Sequence, residues 1–104
     1  MIEVETKDPN AFALIVEGDS MEPPFHAGDR VVFAPNSEPR NGNFVVARLR
    51  EGFGVLFKVF RRKGPEGQII RLESLNPEYK PKEYPSDAFR FIYPAVEAKL
   101  LLRT

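Results

Sequence analysis

Apolar residues fall into short runs separated by proline, glycine and asparagine, a pattern that predicts strands rather than helices. After a polar opening that turns at Asp8-Pro9-Asn10, Ala11 to Val16 reads as a mostly buried strand. Arg30 to Ala34 is a second strand stopped by Pro35, and Asn36 to Asn43 is a turn-rich connector. Phe44 to Leu49 is a third, and a Glu51-Gly52 hairpin turn leads into Gly54 to Phe60, matched to it in length for antiparallel pairing. Arg61 to Gly67 reads as a basic turn and Gln68 to Ser74 as the next strand. Asn76 to Pro81 is expected to be irregular, because Pro77 and Pro81 suit neither a central strand nor a helix interior. Phe89 to Leu102 closes the chain as one long strand or two shorter ones broken near Pro94. Ala95 to Leu102 also has helical propensity, but a last strand fits the all-strand company better. The expected fold is a mostly β, compact domain of short antiparallel strands over residues 1–104.

Composition narrows the function. At 104 residues the chain is long enough for one core and too short for two. Ten prolines leave little room for long helices. Fifteen basic and fifteen acidic side chains cancel, so the strong positive field of a DNA-binding domain is missing and no DNA contact is expected from this segment itself. The cluster Arg61-Arg62-Lys63 then fits a solvated hairpin tip better than a nucleic-acid patch. With no cysteine and one histidine, neither a disulfide framework nor an ordinary metal site is expected, and no cofactor is implied. The apolar runs fall short of the roughly 20 residues that span a bilayer. No secretory signal opens the sequence, which points to a cytoplasmic protein.

One stretch carries candidate chemistry. Gly18-Asp19-Ser20-Met21-Glu22-Pro23, followed by Phe25-His26-Ala27-Gly28-Asp29, sets a single hydroxyl among residues that break regular structure and hold a tight turn. Taken alone it fits a surface loop between strands. A serine nucleophile needs a base, and His26, six positions on, reaches Ser20 only if the loop folds back, so a loop role suits it better. Lys58 stands in the apolar run Val55 to Phe60, where alternation puts Leu56, Lys58 and Phe60 on one face and Val55, Phe57 and Val59 on the other. Burial on such a strand disfavours the ammonium and yields an amine able to take a proton from serine. Taken alone, Lys58 fits better an edge strand whose lysine snorkels to water or blunts edge pairing.

Taken together, these elements resemble the carboxy-terminal domain of the LexA and lambdoid phage repressor family, the S24 self-cleaving serine peptidases. The matching pieces are Gly18 to Pro23, Gly28-Asp29-Arg30-Val31-Val32, Phe44 to Leu49, Phe57-Lys58 and Leu75-Asn76-Pro77-Glu78-Tyr79. They run in family order from about Phe12 onward, and Ala47-Arg48-Leu49 with Leu75 to Tyr79 brings the likeness nearest to phage-type repressors.

The resemblance implies a LexA- or signal-peptidase-like β-domain, with Ser20 as nucleophile and Lys58 as general base of a dyad that cleaves its own polypeptide in the SOS response. The backbone amides of Asp19 and Ser20 would form the oxyanion hole. It also implies a homodimer, an activated recombinase filament as trigger, and DNA binding only through an amino-terminal helix-turn-helix. The family target is an Ala-Gly or Cys-Gly bond in the linker between the two parts. No helix-turn-helix and no such pair precede Ser20 here, and Ala27-Gly28 lies in the turn itself, so we expect a fragment, a processed form or a domain expressed alone. Leu56 stands where many members carry a threonine whose hydroxyl helps position the amine. The alternatives are a dimerisation or polymerase-accessory module with vestigial chemistry, and a type I signal peptidase, which the missing membrane anchor disfavours.

Overall fold

A computed structural model describes residues 8–102, so the polar opening before Asp8 lies outside the described residues. The strands are β1 (Phe12–Ile15), β2 (Arg30–Phe33), β3 (Phe44–Leu49), β4 (Leu56–Lys63), β5 (Ile69–Glu73), β6 (Lys82–Pro85) and β7 (Phe89–Lys99). They form one seven-stranded sheet in the order β1-β2-β7-β3-β4-β5-β6, with every neighbouring pair antiparallel. The mostly β expectation therefore holds.

Two local readings change and a third, left open between one strand and two, is decided. The basic segment after Phe60 is not all turn, because β4 continues to Lys63 and pairs Arg61 with Arg71 and Lys63 with Ile69. β6 was not expected at all. It lies between Pro81 and its last residue Pro85 and, among the described residues, pairs only with β5, the outer position where a missing N–H does least harm. β7 runs through Pro94 as one strand, and Pro94 marks where its pairing passes from Val45 on β3 to β2, beside a register shift between Val32 and Phe33. A residue that cannot donate is tolerated at such a changeover.

Alternation along β3 and β4 feeds two apolar clusters. Val46 and Val59 join Val16, Met21, Phe25, Val31 and Phe33 in the first, while Val45, Ala47 and Phe60 join Ile70, Leu72 and Phe89 in the second. Because successive side chains point to opposite faces, the clusters lie on opposite sides of these strands, and the segment between β1 and β2 sends Met21 and Phe25 into the first.

Candidate active site

The segment between β1 and β2 holds Ser20, and its ends are tied by the bonds that Val16 N–H donates to Asp29 O (2.8 Å) and Gly28 N–H to Val16 O (2.9 Å). Gly18 (φ 72°) and Gly28 (φ 97°) occupy the left-handed region that glycine enters without penalty. Met21, next to the serine, is 2 % exposed, so the serine's neighbour anchors in the core while Ser20 stays half-buried at its rim. Burial of such a side chain is worth about 1.5–3 kcal/mol. Asp29 is fully buried, and its carboxylate accepts from His26 N–H (2.9 Å) and Leu101 N–H (2.8 Å), which fastens the turn to the carboxy-terminal segment.

A second segment grips the turn from outside. Asn76 N–H donates to Ser20 O and Asn76 Nδ2 to Asp19 O, both at 3.0 Å, and the Tyr79 hydroxyl donates to Asp19 Oδ1. That bond and the negative charge of Asp19 push the Tyr79 hydroxyl above its usual range. Asn76 is itself held, its Oδ1 accepting from Glu78 N–H and its carbonyl from Tyr79 N–H. In a trans peptide the C=O and the following N–H point opposite ways, so engaging the Asp19 carbonyl turns the Ser20 N–H away from Asn76.

Lys58 lies on β4, paired with Val45 on β3, and β4 is interior, between β3 and β5. β4 is therefore not an edge strand along its whole length, but at Lys58 its β5 side is unpaired, since that pairing begins at Val59. Its Nζ donates to Ser74 Oγ at 2.7 Å and lies 5.4 Å from the centre of the Tyr79 ring. Burial first, and the nearby Lys82 charge second, lower the Lys58 amine below its ordinary value of 10.5.

Ser20 and Lys58 line one cleft of about 290 Å³, together with Leu14, Ile15, Val55 and Leu56. Phe57, the residue before the lysine, packs edge-on against Phe25 of the turn (5.1 Å) and Phe33 of β2 (6.0 Å), so the strand of the lysine and the turn of the serine share one core. Two backbone edges reach this cleft. Among the described residues β1 pairs only with β2, and β4 meets β5 only from Val59 onward.

His26 is directed elsewhere, its Nδ1 3.7 Å from Glu22 Oε2. The basic cluster is engaged too: Arg61 pairs with Glu73, Lys63 with Glu83, and Arg62 donates to Gly67 O. Among the described residues no group of three or more His, Cys, Asp or Glu side chains could hold a metal ion. Sequence reading did not give Ser74 a role, took Asp29 for a simple turn residue, and assigned no task to Asn76 and Tyr79 although their segment stood out. The available signal was the pairing of Pro77 with an asparagine and a tyrosine, an irregular stretch too specific for a mere linker.

A family model described as Peptidase S24-like matches residues 1–96. Among curated proteins, the chain is 41% identical over 81 residues to a LexA repressor of Desulfatibacillum aliphaticivorans, covering 77% of the chain and 37% of that protein. It is 40% identical over 77 residues to a LexA repressor of Ruegeria sp., covering 73% of the chain and 30% of the relative. An uncharacterized HTH-type transcriptional regulator of Coxiella burnetii is 37% identical over 73 residues, with 70% and 32% covered. The chain thus spans about a third of the length of these curated relatives.

Proposed function

The chain belongs to the Peptidase S24-like family, and from that premise we propose that residues 1–104 are the carboxy-terminal self-cleavage and dimerisation domain of a LexA-like transcriptional regulator. Ser20 is the nucleophile and Lys58 the general base. The observation that carries this reading is the shared cleft: a serine on a braced turn and a lysine whose proton is loosened by burial line the same cavity.

In the proposed reaction the neutral Lys58 amine takes the proton of Ser20 Oγ, and the oxygen attacks the carbonyl carbon of an Ala-Gly or Cys-Gly bond. The backbone N–H groups of Asp19 and Ser20 hold the oxyanion that forms. Collapse breaks the C–N bond, the Lys58 ammonium returns its proton to the leaving amine, and water then hydrolyses the ester on Ser20 through the same base. The two open backbone edges beside the cleft suit a substrate segment lying extended between β1 and β4. DNA binding belongs to an amino-terminal helix-turn-helix of the longer protein, and the trigger is an activated recombinase filament in the cytoplasm during the SOS response. No cofactor enters. Among the described residues no helix is long and apolar enough to cross a membrane.

The test is self-cleavage at alkaline pH of a polypeptide in which an Ala-Gly linker precedes this chain. Ser20→Ala and Lys58→Ala should each abolish it; cleavage that persists in both variants sinks the proposal.

A second reading, a dimerisation or polymerase-accessory module with vestigial chemistry, draws on the exposed Leu100 (47 %), Leu101 (51 %) and Leu102 (101 %) after β7. Sedimentation should give a dimer at micromolar concentration, and a monomer at high micromolar concentration removes dimerisation from both readings.

A further inference from the structure

Lys58 Nζ is not held by any residue of its own strand but by a hydroxyl across the sheet, the 2.7 Å bond to Ser74 Oγ. The β4–β5 register explains why. Val59 faces Glu73 and Phe60 faces Leu72, so one further step of the same antiparallel register sets Lys58 opposite Ser74. Directly opposed side chains on one face are close enough for such a bond. Leu72, two residues before Ser74, and Leu56 and Phe60, either side of Lys58, belong to one apolar cluster, which fixes the face on which the pair sits.

The chemistry requires this kind of partner. A neutral amine has two N–H bonds and one lone pair, and only the lone pair can take the serine proton. On a flexible four-carbon stem the amine needs an acceptor to fix its rotation. Leu56, the neighbour of Lys58 on the same strand face, carries no such group. Ser74 is also joined by one residue to Asn76, whose amide and side chain hold the carbonyls of Ser20 and Asp19. A single stretch therefore holds the amine at Ser74 and the serine turn at Asn76.

We infer that Ser74 is the positioning residue of the dyad: its hydroxyl accepts an N–H of Lys58 and thereby turns the amine's lone pair toward Ser20. The inference rests on the Ser20–Lys58 reading, and its test separates the two. The chain is incubated with a fluorophosphonate, the label is located by mass spectrometry, and its rate is followed from neutral to strongly alkaline pH. Ser74→Ala should lower the high-pH plateau of Ser20 labelling by about 10- to 100-fold, the usual effect of a misplaced catalytic group, and Ser74→Thr should restore it. An acceptor favours the ammonium over the amine, so its loss should also move the midpoint to lower pH. Mere loosening that lets water reach Lys58 moves the midpoint up instead, which overturns the inference.

A plateau unchanged in Ser74→Ala while Lys58→Ala abolishes labelling overturns the role of Ser74 and leaves the dyad standing. Label found on Ser74 overturns both. Labelling of Ser20 that ignores Lys58→Ala overturns the dyad, and the role of Ser74 with it.

Discussion

At Lys58 two influences act in the same direction, burial and the Lys82 charge, and both disfavour the ammonium. Between the lowered folded value and the ordinary 10.5 the unfolded chain binds more protons than the folded one. Stability attributable to this residue therefore rises with pH across that window, and the penalty is gone above it. The neutral base grows over the same range. Lys82→Gln removes the like charge, so the midpoint of Ser20 modification should move to higher pH, and added salt should shrink the difference between the two proteins by screening. A midpoint that stays put or moves down in Lys82→Gln contradicts this electrostatic account. Asn76 gives a second residue-level expectation. Asn76→Ala keeps the backbone bond to Ser20 O but frees the Asp19 carbonyl and the Glu78 N–H, at about 0.5–1.5 kcal/mol for each lost bond. Modification of Ser20 should slow by roughly 10-fold or more from the lost alignment. Thermal unfolding measured beside the rate separates them, since a slowed rate that follows melting alone would leave Asn76 merely structural.

The element that holds the serine is a turn built from backbone constraints rather than from packing alone. Gly28 has φ 97°, and a Cβ there would stand 2.9 Å from Leu101 Cδ1. The leucine tip can move but the backbone cannot, so Gly28→Ala should cost about 1–2 kcal/mol from left-handed strain, read in denaturant unfolding. An unchanged midpoint would show that the turn relaxes. Toward the β6 end of the strand order, β4, β5 and β6 are laced by ion pairs of Arg61 and Arg71 with Glu73, and of Lys63 and Arg71 with Glu83. Hydrogen bonds from Arg71 hold the Glu73 carboxyl below its usual range, and bonds from Lys63 and then Arg71 do the same for Glu83. Depressed carboxylates stabilise above their unfolded values and lose that contribution as pH falls through the folded ones. Melting temperature should thus drop less steeply with acid in Glu73→Gln/Glu83→Gln than in the parent, with a modest amplitude because the pairs are solvent-exposed. Equal acid slopes would remove the ladder as a contributor. These ion pairs also explain what the sequence hid. β2, β3 and β5 are apolar runs with clear stops, whereas Lys82-Glu83-Tyr84-Pro85 offers only Tyr84 to the core and looks like linker until its partner strand is known. Likewise Arg61 and Lys63 read as a turn because their stabilising partners lie on other strands.

For the molecule as a whole, the sheet and its connections bring residues 20, 58 and 74–79 together from three separated parts of the chain. Ser20 and Lys58, which line one cleft, stood out as candidates because a hydroxyl among turn formers and a lysine among apolar residues are each locally odd. The brace did not, since Ser74 and Asn76 are ordinary polar residues whose roles depend on register and on a contact 57 positions away in sequence. The core that joins Ser20 and Lys58 is aromatic: Phe57 meets Phe25, Phe33 and Phe44 edge-on, between 5.1 and 6.3 Å. Phe57→Ala should therefore cost about 3–5 kcal/mol, as large aromatic truncations do. It should also slow Ser20 modification in whatever fraction remains folded; a variant that keeps the parent's stability would contradict this view of the core. The central claim is that Lys58 activates Ser20, and the pH dependence of Ser20 modification in the parent and in Lys58→Ala tests it most directly. The account predicts a rate on Ser20 that climbs with pH to a midpoint below 10.5 in the parent and falls at least about 100-fold in Lys58→Ala; equal rates in the two proteins would contradict it.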